Sequence, residues 1–218
     1  MMRRVCCALM MLAAAACTTT PRPVVQTPEP SSTTELAMAI KAHAQRSDHE
    51  SDPTVRRALA AEASRHADAC IAREPQAVAC IYGRAISLGL EARAHPTRAA
   101  ELLKSMLEDL AHAESIDPDY DDAGPARVQA LILLRAPGWP LGPGDPAAGL
   151  DAAGRAVRLQ PRYPPNLLAL AEALAKSGDA SGAQEAYSRA RDAALGSPDA
   201  VDRDDWLRQV NEGMQRKQ

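Results

Sequence analysis

Any chemistry in this chain would have to come from its five histidines, its five cysteines and two adjacent carboxylate pairs, Asp121-Asp122 and Asp204-Asp205. The histidines (His43, His49, His66, His95, His112) show no His-Glu-x-x-His spacing and no cysteine knuckle beside them. No Gly-x-Ser-x-Gly is present. Gly138, Gly142 and Gly144 alternate with proline and lack the lysine and following helix of a phosphate-binding loop. The carboxylate pairs stand among polar neighbours, where nothing raises a pKa towards general-acid use, so they read as solvated charge. The expectation is a non-enzyme without cofactor or metal.

One stretch resists the pattern of the rest. Leu133 to Pro146 carries four prolines and three glycines, so it cannot be helix: proline lacks the amide donor and glycine favours open backbone. A stiff loop with Trp139 at its centre is costly inside a helical array unless it packs or binds something. Trp139 with Arg127 or Arg135 can form an aromatic wall beside a carboxylate-binding fork. Equally, Trp139 can plug the gap between two hairpins and the arginines can be ordinary ion pairs. Asp145 stands before Pro146, the usual start of a helix, and Asn166 follows Pro164-Pro165 as a cap or turn residue would. Arg127, Arg135, Trp139, Asp145 and Asn166 are therefore the candidate ligand- or partner-binding residues.

The elements that must position them are helices. Hydrophobic residues make up 46% of the 218 positions but aromatics only 3%, with no Phe. Ala, Leu, Val and Ile carry the apolar share, and no stretch alternates as a half-buried strand would. Helices are expected at about 35–45, 53–73, 76–92, 97–115, 125–135, 146–159, 164–177, 180–195 and 199–216. A net charge of -3 and an isoelectric point near 6.0 give no footprint for nucleic acid.

The first residues read as an address. Met1-Met2-Arg3-Arg4 precedes a short apolar run, and Ala14-Ala15-Ala16 leads into Cys17, giving a signal peptide over 1–16. The cysteine after small residues resembles the bacterial lipobox, with Ala14 where Leu is usual. The resemblance implies lipidation of Cys17 and, with Thr18 following, the periplasmic face of a Gram-negative outer membrane. Residues 17–34 are rich in Thr, Pro and Ser and read as a disordered tether, leaving 35–218 as the helical domain. Cys6 and Cys7 belong to the signal, so Cys70 and Cys80 remain in the mature fold. They flank Glu74-Pro75 and suit a disulfide between successive helices. Free thiols, or a metal site shared with His66, are the alternatives.

Pro75, Pro118 and Pro161 each close a helix at intervals of 43 residues, and two continue as Pro-x-Tyr (Tyr120, Tyr163). Equal spacing with matching punctuation marks a solenoid of helical hairpins. Leu167, Leu170, Ala171, Leu174, Gly178, Ala183, Tyr187 and Ala190 fall where a tetratricopeptide (TPR) repeat carries its packing residues. The expected architecture is an all-α solenoid of TPR-like antiparallel hairpins. The helix bearing Trp206, Leu207 and Val210 caps it.

The order Tyr120, Gly124-Pro125, Arg127, Leu134-Arg135-Ala136-Pro137-Gly138-Trp139-Pro140, Gly144-Asp145, Tyr163-Pro164-Pro165-Asn166 resembles the TatT-like lipoproteins associated with TRAP transporters. The likeness runs from about Ser51 to Leu195. It implies a lipid-anchored periplasmic protein that associates, as a homotrimer, with the solute-binding protein of a TRAP-type transporter and holds a small hydrophobic or carboxylate solute. The competing expectation is a general envelope scaffold that binds peptides or outer-membrane machinery.

Overall fold

The computed structural model describes residues 30–198 and 200–215. The signal segment, Cys17 and most of the tether lie outside them, as do Asp199 and Arg216. Among the described residues all regular structure is helical. The elements are α1 (Thr33–Asp48), α2 (Pro53–Arg73), α3 (Val78–Ala94), α4 (Ala99–Ile116), α5 (Tyr120–Arg135), α6 (Pro146–Leu159), α7 (Pro164–Ser177), α8 (Ala180–Leu195) and α9 (Ala200–Gln215), with a 3-10 turn at Pro96–Arg98. Each helix packs on the next. The odd-numbered helices also touch one another, so they form one layer and the even-numbered helices a second. This is the expected α-solenoid of hairpins, closed by α9.

The repeat seen in the proline spacing is a repeat of turns. Glu74, Asp117 and Gln160 end α2, α4 and α6, each with its amide bonded to the carbonyl four residues back. Three residues later Ala77, Tyr120 and Tyr163 donate to those same positions. Proline at the intervening site stops the helix and leads the chain into the next hairpin. Between α7 and α8 the link is tighter. Gly178 takes φ 86° at the end of α7, a conformation in which only glycine is unstrained, and Asp179 caps α8 through the Gly182 amide at 2.9 Å.

Alanine makes the layers close. Ala130, Ala152, Ala153, Ala169 and Ala173 form the seam of α5, α6 and α7. Leu167, Ala190 and Val210 fasten α9 to the last hairpin. Bulkier residues gather farther back, where Ile81, Tyr82, Met106 and Leu110 fill the space around α3 and α4. Cys70 and Cys80 are joined as a disulfide, with Cα atoms 5.2 Å apart, within the usual bridging range. The bridge ties α2 to α3 and so the first hairpin to the second, and it takes Cys70 and Cys80 out of any metal site shared with His66.

Several boundaries differ from expectation. α1 starts at Thr33 and runs to Asp48, because Ser32 and Glu35 form a reciprocal capping box that claims two residues assigned to the tether. α3 and α4 begin two residues late, the first after the Pro75 turn and the second after the 3-10 turn. α5 begins five residues early, at Tyr120, but Asp121, Asp122 and Ala123 have left-handed backbone (φ 51°, 55° and 61°) before the regular helix continues.

Candidate binding surface

The left-handed turn explains where Arg127 goes. Three consecutive non-glycine residues in that region cost about 1–2 kcal/mol each, and the Arg127 side chain holds them. Its Nη1 donates to the carbonyls of Asp121 (3.2 Å) and Asp122 (3.0 Å), and Nη2 donates to Asp121 Oδ2 at 3.0 Å. Asn166, wholly buried, completes the clamp. Its Oδ1 accepts from Arg127 at 3.1 Å, and its Nδ2 donates to the carbonyls of Asp122, Ala156 and Gln160. The guanidinium lies 5.1 Å from the centre of the Tyr163 ring. The Tyr82 hydroxyl donates to Asp121 Oδ2 at 2.9 Å, and burial, reinforced by that carboxylate, pushes the phenol's pKa up. Lys41 of α1 reaches Asp121 Oδ1 at 3.0 Å.

Of the two roles open to Arg127, the structure shows the ion pair rather than an open fork, since both terminal nitrogens donate inside the fold. One expectation is corrected. Asp121 is not a solvated charge, because it receives Tyr82, Lys41 and Arg127. Asn166 is the structural residue foreseen, though its role is to join three elements rather than cap one. Asp145 caps α6, accepting from the Ala147 and Ala148 amides at 3.1 Å.

Arg135 is exposed and makes a two-pronged pair with Glu172, at 2.7 and 3.1 Å. The pair lies on the wall of an open groove of about 580 Å³ between α5, α7, α8 and α9, where Leu168, Lys176, Tyr187 and Trp206 also face inward. Lys176 donates to the Leu134 carbonyl. The aromatic wall of this groove is therefore Trp206 with Tyr187, not Trp139. Its signal in the sequence was the run Trp206, Gln209, Gly213 at helical spacing, which places one face of α9 towards the groove.

Trp139 does something else. It is 90% exposed, and Leu141 beside it is 76% exposed, so Trp139 does not plug the gap between hairpins. The loop that presents them is fixed by its own backbone. Gly144 donates to the Pro137 carbonyl at 2.8 Å, Asp145 to Leu133 at 2.9 Å and Leu141 to Gly138 at 3.0 Å, while Gly138 and Gly144 form a bridge. A Cβ on Gly144 would run into the Ala136 carbonyl, so the crossing requires glycine. The Trp139–Pro140 bond is cis. At the foot of the loop lies an open apolar depression of about 540 Å³, lined by Ile86, Leu103, Val128, Ile132 and Pro137.

Two-layered helical hairpins closed by a capping helix define a TPR-like solenoid. Among solved structures, the crystal structure of a thermophilic TPR protein from Thermus thermophilus is similar, with TM-score 0.52 and 19% identity over 82% of this chain and 89% of that one. No protein-family model matches the chain, and comparison with curated proteins gives no match.

Proposed function

We propose that this chain is a non-catalytic adaptor of the bacterial envelope. It is held by lipid on Cys17 to the periplasmic face of the outer membrane, and it docks a partner protein through the Trp139 loop. The observation that carries the reading is the exposure of Trp139 and Leu141 on a loop crossed by several of its own backbone hydrogen bonds. Rigid aromatic and aliphatic side chains on a preorganised loop give up little entropy on binding, which is what an anchor of an interface needs. The neighbouring depression extends the apolar surface beyond the loop itself.

The partner we assign is the solute-binding protein of a TRAP-type transporter, on the strength of the Ala136-Pro137-Gly138-Trp139-Pro140 loop and its setting, with assembly as a homotrimer part of the same reading. A small apolar solute would lie in the groove against Trp206 and Leu168. A carboxylate would have to compete with Glu172 for Arg135, since Arg127 is occupied. The groove also supports a second reading, a scaffold that holds an extended peptide between α5, α7 and α9, because grooves of this kind mix aromatic walls with charged pairs.

Affinity capture from envelope extract separates the two, using the full chain beside Trp139→Ala and Trp206→Ala versions. Recovery of a periplasmic solute-binding protein by native chain and Trp206→Ala, and its loss from Trp139→Ala, supports the transport adaptor. Recovery of outer-membrane assembly components that depends on Trp206 instead supports the scaffold.

A further inference from the structure

Away from this surface, α1 and α2 bring together His43, Glu62 and His66. One nitrogen or oxygen from each lies within 4.8 Å of those of the other two. Glu62 and His66 are four residues apart and so share a face of α2, and His43 reaches them from α1. His66 is 8% exposed, and its Nδ1 is buried with no hydrogen-bond partner among the described residues. A buried imidazole nitrogen is almost always paired, so an orphan calls for an explanation.

We propose that His43, Glu62 and His66 form a site for a divalent transition-metal ion of the zinc type. Two imidazoles and one carboxylate suit zinc and its neighbours, whereas magnesium and calcium prefer oxygen-only shells. Two imidazoles bound to one tetrahedral ion at about 2.05 Å place their ring centres about 5 Å apart. Here the centres of His43 and His66 are 5.3 Å apart with the rings stacked at 21°, so one ring must turn before both lone pairs point at a single ion. The same geometry brings ligand atoms to about 3.3 Å from one another, a contraction that needs the imidazoles to turn as well as Glu62. Its side chain is half exposed and pairs at the surface with Arg65, which it would exchange for the ion. Three protein ligands leave a fourth position for water or for a group brought by another molecule. The ion would also pin α1 to the rest of the solenoid.

The test is calorimetric titration of zinc sulfate into the full, metal-stripped chain, with Cys6→Ser, Cys7→Ser and Cys17→Ser in every sample to remove free thiols. The expected result is one zinc per chain at micromolar concentration. His43→Gln and Glu62→Gln should each weaken that binding by about tenfold or more, with metal-free melting temperatures unchanged, while His49→Gln should bind like the parent. Zinc should raise the melting temperature of the parent and leave that of His43→Gln where it is. The absence of saturable binding at micromolar zinc, or equal binding by the parent and both ligand variants, would overturn the site.

Discussion

Arg127 carries more of the fold than its single position suggests. Its removal takes a donor from the Asp121 and Asp122 carbonyls and from Asn166 Oδ1, and leaves the Asp121 carboxylate only Tyr82 and Lys41. Arg127→Ala should therefore cost about 3 kcal/mol, a fall of roughly 6–12 °C in melting temperature for a chain of this size. Arg127→Lys should recover little of it, because an ammonium cannot span the same acceptors. His43 gives a pH signature. Its folded-state pKa lies below the ordinary 6.5, through burial and the neighbouring His66, so the unfolded chain takes up a proton before the folded one does. Stability from this group is complete above about pH 6.5 and is lost as the pH falls below it. Melting temperatures measured across that window should show a drop that His43→Gln flattens. At this scale the sequence was uneven. Asp145 was legible because its partners are the next amides along the chain. Arg127 and Asp121 were not, because their partners include α1, α3 and α7, and no local rule announces three left-handed residues at Asp121-Asp122-Ala123.

Among the elements, the links between helices differ in what they tolerate. The Cys70–Cys80 bridge closes a short loop, and joining ends ten residues apart is worth about 2–3 kcal/mol through the unfolded chain. Cys70→Ala with Cys80→Ala should lower stability by about that amount in chemical denaturation, and added reductant should lower the native chain to match. Gly178→Ala should cost about 1 kcal/mol, since alanine at φ 86° is strained even though open space surrounds the position. Helix existence was readable throughout from composition and proline spacing. The starts were less so, because Ser32 with Glu35 looks like any polar tether until the capping box is formed. The shape of the Ala136–Asp145 loop was likewise hidden, since it depends on backbone crossings such as Gly144 over Pro137.

For the whole molecule, the interval between Pro75, Pro118 and Pro161 was the most informative feature, because a solenoid repeats its turns as well as its cores. What the interval could not say is which surface faces a partner. The sequence offered Trp139 beside Arg127 or Arg135; the structure locks Arg127 under Tyr163, pairs Arg135 with Glu172 and leaves Trp139 out in solvent. The exposed side chain of Trp139 is thus decoupled from stability, and Trp139→Ala should change the unfolding free energy by no more than about 0.5 kcal/mol. The most direct measurement is photo-crosslinking in living cells, with a benzophenone amino acid at Leu141 in one strain and at Gln209 in the groove in another. The expected result is a crosslinked adduct with a periplasmic solute-binding protein from position 141 and none from position 209. An adduct from position 209 alone would contradict the assignment of the loop as the docking surface and move it to the groove.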